Sequence, residues 1–348
     1  MALVLLLMAA IWFGGGRMGA SVEVRGIFLG LLYIAILGVQ VAFPEAHPLR
    51  VATGGSAALW LILGGFVGLL IAYRALLKGL RKRAGGGVEA VEAAPKSDAF
   101  SESELDRYAR HIVLRELGGG GQRALKRAKV LVVGAGGLGG PALQYLGAAG
   151  VGTLGVIDDD RVDSTNLQRQ VIHSDEAIGM PKVFSAQKKI EAQNPYVTLR
   201  PYNRRLTKDI AGELVADYDL VLDGSDNFET RYLVNAACVA AGKPLISGAL
   251  SQWEGQLSVF FPAQGAPCYR CLFPSVPAPH LSPACAEAGV LGPLPGVIGA
   301  MMAVEAVKLI TGAGTPALGQ LILYDALHGA TRTVDIVRNS SCETCGGV

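Results

Sequence analysis

The sequence predicts an α/β fold, a Rossmann-like doubly wound sheet, preceded by transmembrane helices and ending in a metal-bound C-terminal region. Three observations predict it. Lys129 to Gly139, KVLVVGAGGLG, joins a continuously apolar, β-branched run to a GxGxxG turn, as a central parallel strand feeding a helix would. Residues 1 to about 80 read as apolar stretches broken by short polar turns. Four of the six cysteines form two CxxC pairs, Cys268 with Cys271 and Cys342 with Cys345.

The 348 residues divide into a membrane anchor over 1–83 with about three spans, a flexible linker over 84–100, and a soluble domain over 101–348. A net charge of +2 leaves no electrostatic footprint for nucleic acid. The cysteines all lie in the soluble part, and their pairing suggests metal in a reducing compartment rather than a disulfide framework.

Ala2 to Gly16 is short for a span, Ile27 to Phe43 is near the lower limit, and Ala52 to Tyr73 is long enough for a hydrocarbon core of roughly 30 Å. The first lacks the basic start and cleavage site of a signal peptide. Arg74, Lys78, Arg81, Lys82 and Arg83 follow the third stretch directly. The positive-inside rule therefore puts the chain after residue 74 in the cytoplasm, on a multi-pass protein of the inner (cytoplasmic) membrane. With three spans, Arg17 and Arg25 also fall inside and Pro44 to Arg50 outside. The linker has GGG and no hydrophobic period.

Ser101-x-x-Glu104 has capping-box spacing and opens a helix with Leu105, Tyr108, Ile112 and Leu114 on its apolar side. Gly118 to Gly121 is expected to break that helix before the glycine-turn strand. The second strand, Thr153 to Ile157, ends in Asp158, about where a ribose-binding acid belongs. A polar loop holds Asp160, Asn166 and Arg169. Pro181 suits a first helical turn and puts Lys182 at its N-terminal end, opposing the helix dipole unless an anion sits there. Val197 to Tyr202 and Asp219 to Leu222 read as strands, the latter running into Asp223-Gly-Ser-Asp226-Asn227. A helix over Phe228 to Ala241 and strands over Pro244 to Ser247 and Gly255 to Phe261 complete the sheet, the last with an antiparallel look. Cys238 reads as a small core residue.

The glycine turn places Gly134, Gly136 and Gly139 under a phosphate-bearing ligand, with helix N–H groups aimed at it. Alone, this signal fits NAD and ATP equally. The two CxxC knuckles offer four thiolates, a closed tetrahedral Zn²⁺ site that is structural because no position remains for substrate. Cys285, in a Pro- and Gly-rich loop, is either idle or a nucleophile whose thiolate is stabilised.

RYARHIVLRELG at 107–118, GAGGLG at 134–139, DDDRVDSTNLQRQ at 158–170, GMPK at 179–182, LDGSDN at 222–227, ACAEAGV at 284–290 and the paired CxxC motifs all occur in this one chain. Together they resemble the MoeB/ThiF/HesA family, the bacterial relatives of ubiquitin-activating E1 enzymes, over about 101–348. The resemblance implies an adenylation domain that uses ATP to adenylate the C-terminal glycine of a ubiquitin-like sulfur carrier, MoaD-like or ThiS-like, in molybdopterin or thiamine biosynthesis. It implies a nucleotide set of Gly134, Gly136, Gly137, Gly139, Asp158, Asp160, Asn166, Arg169, Lys182 and Asp226, with Asp226 on Mg²⁺. Arg110 resembles the arginine that reaches into a neighbouring subunit, which implies a homodimer. Arg110, Arg169, Lys182, Asp226 and Cys285 form the implied catalytic group. Two departures from the family are the preceding membrane helices and the lack of a following rhodanese domain, the latter implying a separate sulfur donor.

Two other classes compete. An NAD-dependent oxidoreductase fits the glycine motif and Asp158, but Arg169 with Lys182 favours a triphosphate. A non-catalytic membrane-bound nucleotide-fold scaffold is the third class, against which stand the competent residue types at every proposed catalytic position.

Overall fold

The computed structural model describes residues 2–17, 21–84, 99–276 and 289–347. Cys285 and linker residues 85–98 lie outside them. The chain separates into two compact units, Met1–Lys96 and Ser97–Val348.

The first unit holds α1 (Ala2–Arg17), α2 (Val22–Ala42), α3 (Pro48–Ala52) and α4 (Ala57–Ala84). Val24–Ala42 of α2 and Ala57–Arg74 of α4 are long and apolar enough to cross a membrane; α1, at 16 residues, is not among such helices. The third apolar stretch begins at Ala57 rather than Ala52, because Pro48 starts a separate short helix that ends before Gly54 and Gly55, both at positive φ. Val4, Ile36 and Trp60 form a small buried cluster. Tyr33 Oη donates to Trp60 O at 2.7 Å and Trp60 Nε1 donates to Thr53 O at 2.9 Å. The helices otherwise present apolar side chains outward: Phe13, Ile27, Leu31, Ile34, Ile62 and Phe66 are all exposed.

The second unit is built on an eight-stranded sheet. Its parallel part comprises β1 (Lys129–Val133), β2 (Thr153–Ile157), β3 (Thr198–Tyr202), β4 (Leu220–Asp223) and β5 (Leu245–Leu250). Antiparallel β6 (Glu254–Phe260), β7 (Gln320–Asp325) and β8 (Ala330–Asp335) extend it, giving the order β3-β2-β1-β4-β5-β6-β7-β8. Helices cover both faces, which is why β1 can be apolar from Val130 to Val133. Val130 and Val132 point into one core with α7 (Gly139–Ala149), α8 (Lys182–Gln193) and the later helix α12 (Leu294–Thr311). Leu131 and Val133 point into the other with α9 (Lys208–Ala216), α10 (Phe228–Ala241) and the short α11 (Tyr269–Leu272).

The capping box at Ser101 is formed in both directions and starts α5 (Glu102–Ile112). The helix begun at Ser101 does end before β1, at Ile112, ahead of the glycines expected to break it, and Gly118 to Gly121 open a second helix, α6 (Gly118–Arg127). Burial overrides propensity there, because Leu125 is fully enclosed and the buried Gln122 Nε2 donates to Ala149 O at 2.8 Å. The expected apolar side of α5 is realised at Tyr108, while Leu105 and Leu114 are exposed. The 18-residue α12 has the composition of a span, yet it packs into the first core beneath the sheet through Ile298, Met302 and Ala306.

Candidate functional site

A cleft of about 950 Å³ opens at the C-terminal ends of the parallel strands. It lies where the order diverges, since β1 pairs with β2 on one side and β4 on the other. Ligands of open α/β sheets bind at such a position. Gly134, Gly136, Gly137, Asp158, Asp160, Arg169, Lys182 and Asp226 all line it.

The turn after β1 needs its glycines for different reasons. Gly134 takes φ +94°, its N–H donates to Ile157 O at 2.9 Å, and an added Cβ would meet Gly224 O at 3.1 Å. Gly139 is enclosed, and a Cβ there would fall 1.8 Å from Gly134 O. Gly139 therefore sets the fit of α7 against the turn, and it is Gly134, Gly136 and Gly137 that line the cleft.

Asp158 accepts the Ala135 N–H on one oxygen and the Asp160 N–H on the other, each at 2.8 Å. Burial pushes its carboxyl above the usual range against the pull of those bonds. Lone pairs remain on both oxygens for a ribose hydroxyl. Lys182 begins α8 with a side chain only 5% exposed, and its Nζ donates to Asp160 Oδ2 at 2.7 Å. The anion expected at this helix terminus is thus the Asp160 carboxylate. Asp160 itself is 67% exposed, so it is free to rotate away while Lys182 is held.

Arg169 Nη2 donates to Asn166 Oδ1 at 2.9 Å, and its Nη1 to Thr165 O at 3.3 Å. Asn166 does not line the cleft; its side-chain carbonyl orients Arg169. Asp226 is exposed at the mouth, on a loop tied down from beneath. There the fully buried Asp223 accepts the Ser225 N–H at 3.0 Å and its hydroxyl at 2.6 Å. Buried Arg231 donates to Ser247 Oγ at 3.2 Å and to Ser225 O. Arg110 sits exposed on α5, outside the lining.

Sequence reasoning missed His173, Arg231, Arg204 and Arg205. The last three line the cleft. His173 is buried, with Nε2 2.9 Å from Ala135 O and Nδ1 2.9 Å from Ser185 Oγ. A carbonyl only accepts, so Nε2 carries the proton and Ser185 donates to Nδ1. Burial lowers the pKa of this imidazole, in keeping with that neutral tautomer. An arginine within an apparently solvated helix and a histidine in a polar loop carry no local signal, because tertiary structure chooses their partners.

The four predicted zinc cysteines converge. Their sulfurs lie within 4.8 Å of one another, with Cys268–Cys342 at 3.7 Å, Cys268–Cys271 at 3.9 Å and Cys271–Cys345 at 3.5 Å. A tetrahedron with Zn–S near 2.3 Å requires S–S separations of about 3.8 Å, so the donor set fits zinc. Arg270 pairs with Glu343 across the two knuckles, and Arg338 Nη2 donates to Cys345 O at 2.8 Å.

Comparison with known proteins agrees with this geometry. The sequence profile of the ThiF family matches residues 108–344. The sulfur carrier protein adenylyltransferase of Thermus thermophilus is 52% identical over 251 residues, 71% of this chain and 93% of that protein. The molybdopterin-synthase adenylyltransferase of Escherichia coli is 47% identical over 247 residues, covering 71% and 98%. Among solved structures, E. coli MccB crystallised with ATP superposes with a TM-score of 0.59 at 24% identity, over 66% of this chain and 70% of that one; this likeness is one of fold.

Proposed function

Because the chain belongs to the ThiF family and is an E1-like adenylyltransferase, we propose that it activates the C-terminal glycine of a ubiquitin-like sulfur carrier, MoaD-like or ThiS-like. The pathway would be molybdopterin or thiamine biosynthesis. Family membership removes the oxidoreductase alternative.

The observation that carries this reading is a buried lysine, Lys182, lining the same cleft as Arg169 and the glycine turn. Attack of a carboxylate on an α-phosphate brings like charges together, so the reaction needs fixed cations and alignment more than a strong base. Lys182 supplies a desolvated positive charge that the triphosphate takes over from Asp160. Arg169, aimed by Asn166, supplies a second. Asp158 and the glycine turn hold the nucleoside end. Asp226, an exposed carboxylate suited to a hard cation, would hold Mg²⁺, which when bound neutralises phosphate charge. Arg110, outside the cleft of its own chain, serves a second copy in a homodimer. Cys285 is the candidate thiol for a covalent link to the carrier. α2 and α4 anchor the enzyme in the inner membrane with the catalytic unit in the cytoplasm.

The test is ATP–pyrophosphate exchange with purified MoaD- and ThiS-like carriers. Exchange with one Gly-Gly-ended carrier is expected, abolished by Asp226→Ala without loss of folding and unaffected by Cys285→Ser. No exchange with either carrier overturns the substrate assignment; exchange that survives Asp226→Ala removes the metal role.

A further inference from the structure

We infer that Gln170 contacts the nucleotide, its side-chain amide serving as a neutral donor to a phosphate oxygen held over the glycine turn. The inference rests on the reading of the cleft as an ATP site. Gln170 follows Arg169 in the polar loop, and its backbone is engaged there: its N–H donates to Asn166 O at 2.9 Å and its carbonyl accepts the His173 N–H at 3.1 Å. The residue lines the cleft and is only 6% exposed. A Cβ built on Gly136 would lie 3.3 Å from Gln170 Nε2, so the amide packs directly against the turn.

That amide is unbonded. Its Oε1 is enclosed without a hydrogen-bond partner, and no acceptor among the described residues takes the N–H groups of Nε2. The polar neighbours in the same loop are all engaged, Arg169 with Asn166 and Thr165, His173 with Ala135 and Ser185. Buried polar groups are almost always satisfied, and an exception asks for an explanation. A long amide held in the cleft wall by packing alone, against a turn built for phosphate, is explained by a partner that arrives with the ligand.

The chemistry of that partner decides which end of the amide meets it. With no protein bond to fix it, the amide plane can present either nitrogen or oxygen to the cleft. The phosphates of ATP offer only acceptors, so they select the nitrogen and its two N–H donors. Lys182 and Arg169 supply charge; a neutral amide adds direction, holding the phosphate in line for attack. A peptide N–H from the carrier tail would instead select the oxygen, and the two occupants are separable by experiment.

The test titrates α,β-methylene ATP into the full chain in detergent, with no carrier present, by isothermal titration calorimetry. Gln170→Met, of similar length but without polar atoms, should bind the analogue about 10- to 100-fold more weakly, as expected for loss of a hydrogen bond to a charged group. Gln170→Glu keeps an acceptor and replaces the donor end with a second oxygen, and should bind it more weakly still. Adenosine, which has no phosphate, should bind all three proteins alike. An analogue affinity in Gln170→Glu equal to wild type would assign the oxygen end to the carrier tail and overturn the proposal. An equal loss for adenosine would show that Gln170 only shapes the cleft wall, which also overturns it. Wild-type protein that binds no analogue removes the nucleotide reading and this inference together, whereas tight wild-type binding with unaltered variants removes this inference alone.

Discussion

The Ala135 peptide is held from both sides, with its N–H on Asp158 Oδ2 at 2.8 Å and its carbonyl on His173 Nε2 at 2.9 Å. The turn that must face a nucleotide is thereby fixed by a residue at the end of β2 and by an imidazole seated against α8. His173→Leu is expected to raise KM for ATP more than it lowers kcat, because it loosens the turn without removing a charge. His173→Gln, which can return an N–H near Nε2, should recover part of the loss. Initial-rate kinetics of AMP-carrier formation distinguish these outcomes.

The same imidazole predicts a pH dependence. Its folded pKa lies below the unfolded value of 6.5 because burial disfavours the charged form. The unfolded chain therefore takes up a proton first as pH falls, and the folded state loses stability from about pH 6.5 downward to the folded pKa. Above that window the contribution is constant. Denaturant midpoints of the isolated catalytic unit should fall with acid across this range by up to about 1.4 kcal/mol per pH unit, and the His173→Gln variant should show a shallower fall.

Lys182→Met removes a nearly isosteric buried cation. The exchange rate should drop by about 10²- to 10³-fold, the cost of losing one preorganised electrostatic contact. Lys182→Arg should not restore it, because a planar guanidinium does not fit a site packed around a compact ammonium. A change confined to thermal stability would count against its proposed role.

Gly139→Ala forces a Cβ to within 1.8 Å of Gly134 O. Either α7 or the turn must shift, at a cost of about 1–3 kcal/mol. Urea unfolding should show this loss, together with weaker ATP binding in a nucleotide-dependent thermal shift.

Residues 97–348 form a compact unit of their own. Expressed alone, they should remain in the supernatant after ultracentrifugation and keep full carrier-dependent exchange. The full chain should pellet with membranes and need detergent for release. Sedimentation of the full chain as a soluble protein would remove the anchoring proposal.

Legibility in the sequence follows how local each signal is. The strand–turn–helix at 129–149 and the cap at Ser101 are legible because β-branched runs, glycine spacing and capping residues act within a few positions. The cysteine knuckles are legible because a metal demands a fixed spacing. α12 is harder to read: with apolar residues all round, its sequence has no periodic face to separate it from a membrane span, and only its packing against the sheet decides. β8, ATRTVD, has every residue exposed and so no buried alternation to mark it. The site shows the same division. Lys182, Arg169 and Asp226 stand out by motif, whereas Arg231 and His173 act through backbone carbonyls that only the folded chain brings within reach.

Tyr269 belongs at once to the cysteine knuckle and to the wall of the cleft. Stripping the metal from the far side would therefore release one wall of the reaction chamber. An enzyme built this way answers to two supplies, nucleotide and transition metal, and a cell starved of zinc would lose the activity even with ATP abundant.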